Sequence, residues 1–156
     1  PNTPILLDFA FTLEGYIVDQ TRMGCWGEPQ PEVRRAYDDM LRIQHAVFDA
    51  LRPGISWEYC YTLALEMAKE LGYADTFMGV GREQVAFVGH GVGLELDEPP
   101  FLAPKMPYPL KPGMTIAIEP KVALPGLGVV GIEDTVVITE TGYERLTLCG
   151  QELVVL

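Results

Sequence analysis

Residues 115–139 read TIAIEPKVALPGLGVVGIEDTVVIT, and this segment is the most informative part of the sequence about the fold. Two apolar runs, 115–124 and 128–139, flank a Pro-Gly-Leu loop, which is typical of a β-hairpin. With that three-residue loop, Glu119 faces Glu133 across the hairpin. The sequence therefore predicts two carboxylates side by side in the middle of two apolar strands.

A second predicted hairpin near the start of the chain repeats this arrangement. Residues 5–10 and 16–23 predict two strands joined by a turn. A four-residue loop would set Asp8 opposite Asp19, whereas a two-residue loop would set Ala10 opposite Asp19. Both registers keep Asp8 and Asp19 on one face of the sheet, because side chains along a strand alternate with period two.

Four acids on apolar strands need positive charge between them, because an unpaired buried carboxylate costs several kcal/mol. A single acid of this kind could form a structural ion pair with a lysine or arginine. These strands, however, supply only Arg22 and Lys121. Two divalent cations bridged by the carboxylates would resolve the repulsion. The sequence therefore predicts a metal site rich in oxygen ligands.

The two histidines of the chain have different surroundings. His45 lies in a predicted helix beside apolar neighbours and is interpreted as a packed or surface residue. His90 lies in the glycine-rich stretch FVGHGVG, where glycines allow close approach of the backbone. His90 is therefore the predicted imidazole ligand, and a set of carboxylates with one imidazole suits Mn, Fe, Co or Zn.

The rest of the chain predicts an α+β fold. A helical period in residues 32–51 and 57–71 indicates two helices, with Ser56 as the N-cap of the second. The remaining predicted elements are short strands at 86–88, 94–96 and 152–156 and an irregular connection at 99–112. We expect a curved, mainly antiparallel sheet with the two helices on one face.

Composition narrows the class of protein. With 156 residues, 48% of them hydrophobic, the chain suits one globular domain. Its net charge of -11 argues against a nucleic-acid partner, and no apolar run is long enough for a membrane span. Three cysteines without a CxxC pair argue against a zinc ribbon and fit a reducing compartment such as the cytoplasm.

Five short motifs occur in a fixed order: LDF at 7–9, DQTR at 19–22, GHGVG at 89–93, IEP at 118–120 and IEDT at 132–135. Together they resemble the pita-bread metallopeptidases, which comprise methionine aminopeptidases, Xaa-Pro aminopeptidases and Xaa-Pro dipeptidases (prolidases). The second and fifth motifs are more similar to the Xaa-Pro branch. The resemblance runs over residues 5–148 and implies the pita-bread fold.

The resemblance also implies a mechanism and a role for each acid. Asp8 would chelate one metal, Asp19 and Glu133 would bridge two, and His90 and Glu119 would bind the second. A metal-bridging hydroxide would attack the scissile carbonyl, and Glu119 would transfer the proton. The implied enzyme is an exopeptidase that uses two divalent ions (Mn, Co, Zn or Fe) and removes the N-terminal residue of a peptide, with Xaa-Pro bonds as the expected substrate.

Three residues depart from the family pattern. Asp97 stands where the family carries a substrate-contacting histidine, so Asp97 is the predicted substrate-binding residue. Lys121 follows the IEP motif where a glycine is usual, and Gly131 replaces an arginine that is frequent in the Xaa-Pro branch. These departures favour, as an alternative, a non-catalytic pita-bread module that binds metal or peptide.

The extent of the resemblance predicts how the chain is organised. Residues 1–156 are interpreted as the C-terminal portion of a pita-bread catalytic domain, with the N-terminal part of that domain outside the sequence. Strands absent from this portion would leave an open sheet edge. We therefore expect a homo-oligomer formed by pairing with another copy.

Overall fold

A computed structural model describes residues 2–156, which form two long helices and a set of short, mainly antiparallel strands. The elements in chain order are β1 (Pro4–Leu13), β2 (Tyr16–Cys25), α1 (Pro31–Ala50), α2 (Trp57–Glu70), β3 (Gly89–Gly91), β4 (Glu98–Phe101), β5 (Thr115–Ile118), β6 (Lys121–Leu124), β7 (Gly128–Gly131), β8 (Asp134–Ile138), β9 (Tyr143–Arg145) and β10 (Val154–Val155). The predicted α+β class is confirmed.

The hairpin of β1 and β2 has the register of the shorter predicted loop. Glu14 and Gly15 form a two-residue turn, and both have a positive φ, as the tight turns of such hairpins require. Ala10 faces Asp19 as a result. The alternative register, with Asp8 directly opposite Asp19, is therefore wrong, although both acids lie on one face.

The hairpin of residues 115–139 keeps the predicted register but is interrupted in the middle. β5 pairs with β8, and β6 pairs with β7, in one continuous register around the loop. Residues 119–120 and 132–133 belong to no strand. There the backbone of Glu133 turns to Thr21, and the two residues exchange N–H···O bonds of 3.2 and 3.3 Å. These two hydrogen bonds connect the two hairpins at the interruption.

The helices hold the hairpins in place. α1 packs on α2 and on β6 and β7, with Val33, Tyr37 and Met40 among the side chains buried in the core. The α1 residue Gln44 is fully buried, and its Nε2 donates a 3.0 Å hydrogen bond to the carbonyl of Ile118. This bond ties the helix to the strand end that precedes Glu119.

The second helix begins as predicted. Ser56 caps α2, because its Oγ accepts a hydrogen bond from the backbone N–H of Tyr59 at 3.1 Å. Both helices end within one residue of their predicted limits. Neither is long and apolar enough to cross a membrane. All three cysteines are unpaired within residues 2–156.

The prediction around the glycine-rich stretch was wrong. Residues 86–88 and 94–96 are not strands; the glycine segment itself is the strand β3, which pairs with β4 on one side and β5 on the other. A Cβ on Gly91 would lie 2.5 Å from the carbonyl oxygens of Glu98 and Pro99, so glycine there permits the close pairing with β4. That strand lies partly inside the region predicted to be irregular, 99–112.

Candidate metal centre

The predicted imidazole faces three of the predicted acids. His90, in the middle of β3, directs Nε2 towards the break in the hairpin, 3.4 Å from Glu119 Oε1 and 3.8 Å from Glu133 Oε1. Asp19 Oδ2, from β2, lies 3.9 Å from the same nitrogen. One ligand atom from each of Asp19, His90 and Glu133 lies within 4.8 Å of the others, and all three side chains are buried.

The fourth acid, Asp8, belongs to a second group around a lysine. Lys121 Nζ lies 2.6 Å from Glu119 Oε2, 3.3 Å from Glu133 Oε2 and 3.3 Å from Asp8 Oδ2. Both glutamates therefore direct one oxygen towards His90 and the other towards the ammonium. The lysine side chain is only 16% exposed. The five predicted side chains thus lie together, with a lysine among them whose part the sequence analysis missed.

The two departures Lys121 and Gly131 are cross-strand partners on β6 and β7. A Cβ on Gly131 would lie 2.5 Å from Lys121 Cγ and 2.7 Å from the carbonyl oxygen of Pro120. The stem of the lysine therefore crosses the surface that a side chain at 131 would fill. Glycine at one position makes room for the lysine at the other.

The charges of this cluster do not balance. Burial lowers the pKa of Lys121, but the carboxylates of Glu133 and Glu119 outweigh burial and raise it, so the lysine stays charged. Burial, together with the carboxylates of Glu133 and Asp8, raises the pKa of Asp19 to about 6. Burial also raises the pKa of Glu119, although Lys121 opposes it. One ammonium among four carboxylates leaves the site short of positive charge.

One oxygen marks where further positive charge would be held. Glu133 Oε2 accepts hydrogen bonds from Thr21 Oγ1 at 2.6 Å and from Lys121, but the buried Glu133 Oε1 has no hydrogen-bond partner within residues 2–156. Leaving such an atom unsatisfied costs about 1–3 kcal/mol or more. The orphaned oxygen, His90 Nε2 and Asp19 form a donor set that fits one divalent metal ion.

The opposite nitrogen of His90 faces a backbone carbonyl and Asp97. His90 Nδ1 lies 3.1 Å from the carbonyl oxygen of Gly91 and 3.3 Å from Asp97 Oδ1. A proton on Nδ1 can be donated to either oxygen, which leaves the Nε2 lone pair for a metal. The Asp97 side chain is 57% exposed at the rim of the cluster. The predicted substrate-binding residue is therefore beside the imidazole and open to solvent.

A buried ion pair behind the acids fixes Glu133 and was not predicted. Arg22 Nη2 pairs with Asp134 Oδ1 at 2.6 Å, and its Nη1 donates to the carbonyl of Glu133 at 2.7 Å. Thr147 and Gln151 also donate to Asp134. The alternation of side chains along a strand could have predicted this pair. Because Asp134 points to the opposite face from Glu133, it needs a cation of its own.

The other histidine lies outside this cluster. His45 Nε2 is 3.0 Å from Gln151 Oε1 at the exposed side of α1. Its ring stacks on Phe48 at a centroid distance of 6.3 Å. The interpretation of His45 as a packed or surface residue is confirmed.

Comparisons of the sequence and of the fold with known proteins agree on one family. Residues 1–140 match the model of metallopeptidase family M24. A curated Xaa-Pro dipeptidase from Pyrococcus furiosus is 38% identical over 149 residues, which are 96% of this chain and 41% of that protein. The structures of an X-Pro aminopeptidase from Thermotoga maritima and a prolidase from Pyrococcus furiosus superpose with TM-scores of 0.90 and 0.87 at 31% and 37% identity.

The superpositions cover 98% and 95% of this chain, and they cover 42% of the chain of each of the two structures. The chain therefore spans about two fifths of the length of the relatives it matches. The expected pita-bread fold is confirmed by these superpositions. The chain belongs to metallopeptidase family M24.

Proposed function

We propose that the intact protein is a metal-dependent exopeptidase that removes the N-terminal residue from peptides, with Xaa-Pro bonds as its substrates. The observation that carries this proposal is the buried group of Asp19, His90 and Glu133, with its orphaned carboxylate oxygen. Relatives named Xaa-Pro dipeptidase and X-Pro aminopeptidase support the substrate class. Because the chain spans two fifths of their length, the activity is proposed for the intact protein.

Asp19, His90 and Glu133 would hold the divalent ion, with Glu119 Oε1 at the edge of the same space. Mn, Co, Zn and Fe all accept such ligands. A divalent ion held there would supply Lewis acidity, which would polarise the scissile carbonyl and make an attacking water molecule more acidic. Glu119, whose pKa is raised by burial, takes the proton of the attacking water and passes it to the leaving amine.

The surroundings of the cluster suit a short peptide with an apolar residue. A depression of about 190 Å³ beside Glu119 and Lys121 is lined by apolar side chains, including Val85 and Val129. Such a surface accepts a proline ring or another apolar group. The exposed carboxylate of Asp97 suits the protonated amino group of a substrate, since the opposite charges attract.

The test compares metal content and hydrolysis in the intact protein. Wild type is assayed for bound Mn²⁺ and for cleavage of Xaa-Pro dipeptides, beside Asp19→Asn and Glu133→Gln, with His45→Gln as a control outside the cluster. We expect both cluster variants to lose metal and activity and the control to keep both. Metal binding without cleavage of any dipeptide would overturn the enzyme proposal and favour a non-catalytic module.

A further inference from the structure

We propose that the Lys121 ammonium permanently replaces one of the two metal ions that the acids imply, so that the site takes a single divalent ion on its His90 side. This inference rests on the proposed function only in assuming that the site binds metal. It concerns the number and position of the ions and assigns to Lys121 a role that the family resemblance does not supply.

The Lys121 ammonium lies where a metal ion shared by three of the acids would lie. Lys121 Nζ contacts carboxylate oxygens of Asp8, Glu119 and Glu133 at 2.6–3.3 Å. A metal ion shared by these oxygens would lie about 2.0–2.2 Å from each of them. Such an ion would lie in the space that Nζ fills and would be repelled by its charge.

The structure around Lys121 holds its side chain in this position. Its backbone is fixed on both edges, because it pairs with Gly131 across the hairpin and its carbonyl accepts a 2.8 Å hydrogen bond from Met78 N. The bare surface of Gly131 receives the lysine stem. Only 16% of the Lys121 side chain is exposed, so the ammonium cannot move away from its three carboxylates unless the whole side chain leaves its buried position.

Each of the two glutamates directs one oxygen to the lysine and the other to the histidine. Glu119 and Glu133 direct Oε2 to Lys121 and Oε1 towards His90 Nε2. On the His90 side, Glu133 Oε1 lacks a partner within the described part of the chain, so that side still requires a cation. The Lys121 side of the two glutamates is thus supplied with a fixed positive charge, and their His90 side needs a metal ion.

The experiment counts metal ions in the intact protein. Wild type, Lys121→Gly and the control Lys111→Gly, which alters an exposed lysine, are loaded with Mn²⁺ and freed of excess metal. Elemental analysis is expected to give one equivalent for wild type and the control and two for Lys121→Gly. Electron paramagnetic resonance should show an isolated Mn²⁺ ion in wild type and an exchange-coupled pair, with ions ~3.5–4 Å apart, in Lys121→Gly.

A second variant tests the inference with the lysine in place. Asp8→Asn should still bind one equivalent, because Asp8 faces the ammonium, whereas Asp19→Asn should bind none. Two equivalents in wild type, loss of metal in Asp8→Asn, or a folded Lys121→Gly that still binds one would overturn the role of Lys121 and leave the exopeptidase proposal standing. If neither wild type nor any of the variants binds metal, both the role of Lys121 and the exopeptidase proposal are overturned.

Discussion

At the scale of single residues, Glu133 links the structural and chemical parts of the site. Its Oε2 is held by Thr21 and Lys121, its backbone is held by Thr21 and Arg22, and its Oε1 lacks a partner among residues 2–156. A carboxylate positioned so completely does not reorganise when a cation arrives. Rigid placement of ligands of this kind favours metal binding, because little ordering remains to be done.

The raised pKa of Asp19 predicts how the stability of the metal-free protein depends on pH. Burial and the carboxylates of Glu133 and Asp8 raise this pKa from 3.8 to about 6, so between these values the folded state binds a proton that the unfolded state releases. The free energy of unfolding therefore falls as pH rises through this window. Urea unfolding with chelator present should show this fall, and Asp19→Asn should reduce it. Equal pH dependence in the two proteins would contradict the assignment.

Gly131 gives a second prediction at this scale. A methyl group at 131 would collide with the Lys121 stem and with the backbone of Pro120. Gly131→Ala should therefore lower the free energy of unfolding by about 1–3 kcal/mol in urea titrations. Gly142→Ala is the matched control, because the nearest atom to its added carbon is 4.0 Å away. A similar loss in both variants would mean that position 131 is not crowded.

Among the elements, the register of the 115–139 hairpin and the shared face of Asp8 and Asp19 were predictable, whereas the choice between the two registers of the first hairpin and the existence of β3 were not. Loop length and side-chain alternation placed Glu119 near Glu133 and kept Asp8 and Asp19 on one face. β3 escaped prediction because two of its three residues are glycines, which show no apolar alternation. Lys121 was visible as a departure, but the direction of its side chain depends on Gly131 across the hairpin, which sequence spacing does not show.

The junction between β2 and β8 depends on the buried pair of Arg22 and Asp134. Asp134 is fully buried, and Arg22 also donates to the carbonyls of Thr21 and Glu133. Removing the guanidinium leaves a buried carboxylate without its cation, so Arg22→Met should cost about 3–5 kcal/mol of stability. Thermal and urea unfolding would measure the loss.

The matched control for this prediction is an exposed ion pair. Arg34 lies 3.7 Å from Glu28, and both side chains are at least half exposed. Arg34→Met should change the free energy of unfolding by about 0–1 kcal/mol. Comparable losses for the two arginines would show that the Asp134 pair does not stabilise the junction.

At the scale of the whole molecule, β1 is one of the two edge strands of the sheet β1-β2-β10. It exposes Leu7, Phe11 and Leu13, and the exposed fraction of Phe11 is 62%. An apolar edge strand is a surface on which another strand can pair. The expectation of a homo-oligomer stays a prediction, and this edge is where we place the contact.

Light scattering of the chain of residues 1–156 tests that prediction. Wild type should have the mass of a dimer or larger assembly, and Phe11→Lys should lower it, because a charge on an apolar contact is costly to bury. Tyr59→Lys, on the exposed side of α2, is the control and should leave the mass unchanged. A wild-type protein with the mass of one chain would contradict the prediction.

We expect one divalent ion to bind among His90, Asp19 and Glu133, with the Lys121 ammonium on the opposite side of the Glu119 and Glu133 carboxylates. Anomalous diffraction at the manganese edge, from crystals of the intact protein grown with Mn²⁺, tests it most directly. We expect one anomalous peak within coordination distance of His90 Nε2 and of one carboxylate oxygen each from Asp19 and Glu133. No peak there, or a second peak among Asp8, Glu119 and Glu133, would contradict it.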